Sequence, residues 1–325
     1  MRYIDSTVKE PASGIPGRLT AAANSKTMLG RILRAWQLYV LLLPAVVYIV
    51  IFQYGPMYGV QIAFKRFNPY DGITGSPWIG FHHFIRFINS PSFWRLIQNT
   101  IILSFYQLAA GFPFPIILAL AMNMVRNRRF NRTVQLVTYA PHFISVVVIV
   151  GMLNVFFSRN FGLVNHALEF LGGDRRFFLG DAGVFRHMYV WSGVWQRTGW
   201  NSIIFLAALS GIDPELHEAA IVDGATIRQR AWHIDIPGIA STIAILLILN
   251  LGQIMQVGFE KAFLMQNALN LSRSEIIATY VYKVGLQQAQ YSFAAAVGLF
   301  NAVINFILLV VVNKASKSLG QAGLF

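Results

Sequence analysis

Cysteine is absent from the 325-residue chain. That excludes a disulfide framework, thiolate metal sites and a cysteine nucleophile, and leaves the redox compartment open. Charge is scarce too, at 12% of residues, about half the roughly 25% of ordinary soluble domains. Acidic residues number 13 and basic residues 26, against a hydrophobic share of 55%. So few charges cannot coat a globule of this size with a polar skin. Disorder is excluded by the opposite argument: disordered chains are poor in large apolar residues, and this one has 26 Phe. With a mean hydropathy of +0.53, the principal solvent is lipid.

Chemical machinery is missing as well. There is no G-x-x-x-x-G-K-[ST] run, hence no phosphate cradle. No His, Asp or Glu cluster has metal-ligand spacing. No apolar stretch carries the series of carboxylates that a proton relay needs. His82, His83 and His142 read as single satisfied or interfacial histidines. The first 30 residues lack the apolar core of a secretory signal. Pro11, Gly14, Pro16 and Gly17 make them a polar arm without a long helix. The net charge of +13 fits Lys and Arg facing anionic lipid better than nucleic acid, for which no soluble basic face exists.

What is present is a series of six long apolar windows: 35–64, 96–125, 133–158, 187–212, 236–259 and 284–313. Each can supply the roughly 20 residues that a helix needs to cross hydrocarbon. The short alternating segments of a β-barrel are absent. An all-α polytopic membrane protein with six transmembrane helices follows. Pro44, Pro113 and Pro115 predict kinks. Pro141 divides the third window, placing 126–139 partly at the interface and leaving a short crossing after it. Arg126, Arg128, Arg129 and Arg132 crowd one short connection, which places that connection, and both termini, in the cytoplasm. The segments are then a cytoplasmic arm 1–34, a first span 35–64, an external loop 65–94, a core 95–312 and a cytoplasmic tail 313–325.

Between the fourth and fifth windows runs Asp213-Pro214-Glu215-Leu216-His217-Glu218-Ala219-Ala220-Ile221-Val222-Asp223-Gly224-Ala225-Thr226. Asp213 reads as a helix N-cap and Pro214 suits the first turn. Asp223-Gly224 makes a sharp turn, with glycine free to take positive φ. A second short helix runs to about Ile236, and Pro237 opens the fifth span. The product is a helical elbow at the membrane surface, with small alanines that admit another protein.

This stretch resembles the EAA loop of binding-protein-dependent ABC importer permeases. Glu218, Ala219, Ala220, Asp223, Gly224, Ala225, Gln229, Ile234 and Pro237 match its pattern. Ala231-Trp232 departs from its apolar or aromatic pair by one lost aromatic. The run Gly199–Leu209 with Ile212-Asp213-Pro214 is similar to the carbohydrate branch of that family, as are spans two to six. The resemblance implies a type I permease core in which the loop 213–237 is a cytoplasmic coupling helix seated on an ATPase. It implies a non-enzymatic inner-membrane subunit without cofactors of its own, ATP and Mg being bound by partner ATPase subunits. The implied partners are a second permease subunit, two cytoplasmic ABC ATPase subunits, an extracytoplasmic solute-binding protein and an oligosaccharide. The overall pattern is similar to permease subunits of bacterial alginate importers, so alginate or its oligomers is a candidate cargo, with a neutral sugar left open. A secondary transporter driven by an ion gradient is the competing class.

Arg197 is the one charge well inside a window, beside Trp191, Trp195 and Trp200. A charge in hydrocarbon costs several kcal/mol and marks function by default. A guanidinium pairs bidentately with carboxylates, and aromatic faces stack on sugar rings. Equally, Arg197 could snorkel to an interfacial tryptophan belt. Asn250, Gln253 and Gln256 follow at i, i+3 and i+6, on a drifting but continuous helix face. The resemblance places a central site on the spans flanking the loop, which favours Arg197, Trp200, Asn250 and Gln253. Asn301 and Asn305 read as helix-packing amides.

Overall fold

The computed structural model describes residues 35–125, 127–255 and 257–318. The arm 1–34, Arg126, Gln256 and the last seven residues lie outside them. The chain divides into two units, Met1–Gly59 and Val60–Phe325.

In the first unit, helix α1 (Trp36–Ile49) holds Pro44 and no buried residue, and a π turn (Val50–Tyr54) follows it. An apolar helix with every side chain outward suits a lipid surface.

The second unit is built from α2 (His82–Ile88), α3 (Phe93–Gly111), α4 (Pro113–Met124), α5 (Arg128–Tyr139), α6 (Val146–Phe156), α7 (Leu163–Phe170), α8 (Ala182–Leu209), α9 (Pro214–Val222), α10 (Ile227–Arg230), α11 (Ala240–Gly252), α12 (Phe259–Met265), α13 (Ile277–Tyr282) and α14 (Tyr291–Ser318). Three helical segments, Trp36–Phe64, Phe93–Met124 and Tyr291–Lys314, are long and apolar enough to cross a membrane. Two bent pairs bring the number to five: Arg128–Phe143 with Val146–Phe156, at 99°, and Ile227–Gly238 with Ala240–Gly252, at 60°. Helix α8 has 28 residues, about 42 Å at 1.5 Å per residue, so it has the length. It misses the apolarity because it carries Arg186, His187, Gln196, Arg197 and Asn201, of which Arg197 and Asn201 line a polar cavity.

The first bend falls beyond Pro141, where the sequence divides the third window. A break inside a bilayer frees backbone groups that must find partners. Here Gln196 of α8 donates its Nε2 to the Ile144 carbonyl at 2.9 Å, and Ser145 caps α6 by accepting from the Val148 amide at 3.3 Å. The second bend falls just after Pro237, which lies inside the short helical piece before it, and the longer helix resumes at Ala240. A π turn over Ala231–Asp235 and a ring without an N–H weaken the ladder there.

Three buried clusters organise this unit. One packs Leu103 and Val150 against Phe185, Met188, Tyr189, Val190 and Val194. Another joins Phe87, Phe93 and Leu96 to Ile277, Phe293 and Val297. The third packs Ala119 against Phe205, Leu209 and Ile239. Along α8 the first cluster ends at Val194 and the third begins at Phe205. Between them α5 crosses at its closest, where a Cβ on Gly199 would lie 2.1 Å from the Thr138 carbonyl oxygen.

Candidate functional site

The interval between the two clusters on α8 holds a cavity of about 300 Å³, walled by α3, α4, α8, α11 and the turn after it. Its polar lining includes Gln107, Arg197, Asn201, Asn250 and Gln253. None of its lining residues is acidic. Arg197 makes no salt bridge to a carboxylate among the described residues. Asn250 donates to the Leu246 carbonyl at 2.7 Å, a bond within its own helix, which leaves its amide oxygen available. The site is therefore rich in donors around one uncompensated guanidinium, a pattern fitted to an anionic, hydroxyl-bearing solute.

Three of the four sequence candidates, Arg197, Asn250 and Gln253, thus line one cavity, Arg197 from α8, Asn250 from α11 and Gln253 from the turn after it. Trp200 is elsewhere. Its ring stacks on His142, with centroids 4.3 Å apart and planes 2° apart, and Phe143 meets it edge-on. The shared helix face expected for Asn250 and Gln253 is also corrected. The helix ends at Gly252, and Gln253 reaches the cavity from a turn. Gln256 lies outside the described residues. Gln107 and Asn201 were not read as site residues from the sequence. Asn201 stands one helical turn after Arg197, and Gln107 sits between Ser104 and Gly111 at helical spacing on an apolar crossing. A lone amide in a membrane span was the available signal.

Other polar groups outside the cavity are engaged with one another. Glu275, with a side chain 7% exposed, takes Arg95 at 2.9 Å and Lys283 at 3.3 Å. Trp191 donates to the Tyr106 hydroxyl at 2.9 Å, and that hydroxyl meets His187 Nδ1 at 2.8 Å. His83 packs against the Lys65 carbonyl at 3.2 Å, and burial pushes its pKa below 6.5. Among the described residues no three His, Asp or Glu side chains gather as metal ligands would.

At the far end of α8 the elbow is built as its residues dictate. Asp213 caps α9 by accepting from the Glu215 amide at 3.0 Å. Gly224 turns the chain at φ +76°. The Ala225 amide reaches back to the Ala220 carbonyl at 2.8 Å and the Gly224 amide to Ile221 at 3.0 Å, which together form a Schellman stop. Thr226 and Gln229 then cap α10 reciprocally. No residue of α9 is buried. Glu218, Ala219, Asp223 and Gly224 are exposed, and Ala220 and Ala225 are half-buried. Val222, 87% exposed, tops a surface of small and apolar side chains outside the bundle.

Residues 111–319, more than half of the chain, match the family of binding-protein-dependent transport system inner membrane components, and the chain belongs to that family. Protein LplB of Bacillus subtilis (strain 168) is 46% identical to it over 288 residues, 89% of this chain and 91% of that one. The polygalacturonan/rhamnogalacturonan transport system permease protein YteP of the same organism is 40% identical over 319 residues, 98% and 99% of the two chains. The crystal structure of a bacterial alginate ABC transporter in complex with an alginate pentasaccharide-bound periplasmic protein holds a chain of 40% identity. It superposes with a TM-score of 0.84 and covers 91% of this chain and 99% of that one.

Proposed function

We propose that this chain is one of two permease subunits of an ATP-driven importer of acidic oligosaccharides, alginate or a related uronate among them. It crosses the inner membrane six times, α8 being the fourth crossing, with both termini in the cytoplasm. An extracytoplasmic binding protein delivers the sugar, and the cavity receives it at mid-membrane. Two ATPase subunits, holding ATP and Mg, dock on the elbow of this chain and on that of its partner permease. Nucleotide binding and hydrolysis alternate the access of the cavity, exposing it to one side at a time.

One observation carries this reading: a cavity with a guanidinium, four amides and no carboxylate in a chain whose family works with binding proteins. The relatives that import polygalacturonan and alginate handle uronate polymers, and such a cargo carries the missing negative charge. The experiment is purification of the complex with its partners, followed by sugar-stimulated ATP turnover in vesicles. Stimulation by uronate oligomers is the expected result. Uptake that survives ATP depletion would replace this reading with a gradient-driven transporter.

A further inference from the structure

Lys261 is 8% exposed and lies on α12, outside the cavity lining. Its Nζ donates to the Tyr189 carbonyl at 2.8 Å and stands 4.9 Å from the centroid of the Tyr189 ring. Among the described residues it makes no salt bridge to a carboxylate. An ammonium has three donors, and one carbonyl and one ring face do not neutralise it. Burial, with the Arg197 guanidinium nearby, pulls the Lys261 pKa down to about 7; its charged form is costly there without a counter-ion, so its position asks for a reason.

The position is specific. Gly193 lies on the cavity wall one turn before Arg197. A Cβ built on Gly193 would come 3.3 Å from Lys261 Nζ. The ammonium therefore sits directly behind a stretch of wall that has no side chain. Residues 186, 193 and 197 follow one face of α8, at helical spacings of seven and four. Lys261, brought in by α12, fills the charge position that Gly193 leaves bare between Arg186 and Arg197.

We propose that Lys261 is a specificity-determining residue that acts with Arg197 as a paired positive site for a carboxylate-bearing sugar, the solute supplying their common counter-ion. This rests on the import of acidic oligosaccharides proposed above. Each cation raises the cost of the other until an anion enters the cavity within reach of both fields. An acidic sugar gains from both cations, whereas a neutral one meets only the amides. The arrangement thus selects by charge, while hydrogen bonds to hydroxyls serve either sugar.

The test uses the full complex with its binding protein in vesicles, and two sugars of equal length, a uronate oligosaccharide and its carboxyl-reduced neutral form. The readout is the ratio of their kcat/KM values in ATP-driven uptake. Lys261→Gln should lower that preference for the acidic sugar by about tenfold, and Lys261→Arg should restore most of it. Equal loss for both sugars would make Lys261 a strap that pins α12 to α8 and would overturn the proposal. An unchanged ratio would overturn it as well. Wild-type complex that turns over ATP without importing the uronate sugar would instead defeat the substrate reading on which it rests. If Lys261→Gln does not assemble, the salt dependence of the wild-type ratio decides: a paired buried site is screened little, and a preference abolished by added salt would assign selection to exposed charges.

Discussion

His217 Nε2 lies 3.3 Å from Asp235 Oδ1. That contact ties the exposed helix α9 to the π turn that precedes the second bend. The Asp235 side chain is 4% exposed and also takes Asn123 Nδ2 of α4 at 3.4 Å. Since no residue of α9 is buried, this polar strut is a main mechanical link from the elbow to the bundle. His217→Ala should leave a buried carboxylate short of a partner, at a cost of about 1–3 kcal/mol. The expected result is less sugar moved per ATP hydrolysed, by several-fold, with the complex still assembled. A double-mutant cycle with Asp235→Asn should show non-additivity of about 1 kcal/mol in complex stability. Additive effects would mean that the two side chains act separately.

Arg197→Ala removes the guanidinium from the cavity wall. Losing one charge-assisted contact to a carboxylate is worth about 1.5–3 kcal/mol, or roughly 10- to 100-fold in an affinity. Uptake of an acidic oligosaccharide should show that loss chiefly in KM. Unchanged kinetics would assign Arg197 to structure.

Gly199→Ala tests the tightest crossing. The added Cβ would lie 2.1 Å from the Thr138 carbonyl oxygen and 2.3 Å from its carbon, backbone atoms that cannot rotate away. Helices α5 and α8 would have to separate. Overpacking of this kind costs typically about 1–3 kcal/mol, and a lower Tm of the purified complex is the expected outcome. Trp200, one residue on, is stacked on His142, so Gly199→Ala should also perturb tryptophan fluorescence.

Much of this was legible in advance because two signals were strong. Long uncharged windows have one physical use, and the Asp213 cap, the Asp223-Gly224 turn and the alanines of α9 fold locally, so that the elbow could be drawn residue by residue. The site was legible where charge was anomalous, at Arg197. It was illegible where tertiary packing decided. Trp200 has the right chemistry for a sugar platform, yet a neighbouring imidazole uses its face. Asn250 and Gln253 have helical spacing, yet the helix ends between them at Gly252. Lys261 carries no signal in the sequence, because nothing local tells that α12 folds it against Tyr189. The 99° bend was half visible: Pro141 marked the place, but the donor that satisfies the Ile144 carbonyl there, Gln196, lies more than fifty residues away in the chain.

His83 gives a dependence on pH. Burial lowers its pKa in the folded protein below 6.5, so the unfolded chain binds this proton first as pH falls. Stability from the neutral ring is full above about pH 6.5 and is lost as pH falls through the lowered folded-state value. His83→Gln, which keeps a donor toward the Lys65 carbonyl without a titrating group, should flatten the decline in Tm on acidification. An identical decline would place the sensitive group elsewhere.

Gly224 offers the sharpest test of the elbow, because two substitutions there make graded demands. At φ +76° an alanine is strained by about 1–2 kcal/mol, while its amide can still reach the Ile221 carbonyl. A proline forbids the conformation outright, since its ring holds φ near −65°, and it removes that amide. Glycine is exposed here and a Cβ would meet nothing within 4 Å, so neither change disturbs the membrane core. Gly224→Ala should therefore weaken co-purification of the ATPase subunits modestly. Gly224→Pro should abolish it, with ATP-driven uptake lost and insertion into the membrane retained. Normal uptake by the proline variant would show that the turn between α9 and α10 transmits no force, because no backbone with proline at this position can present the two helices at their present angle.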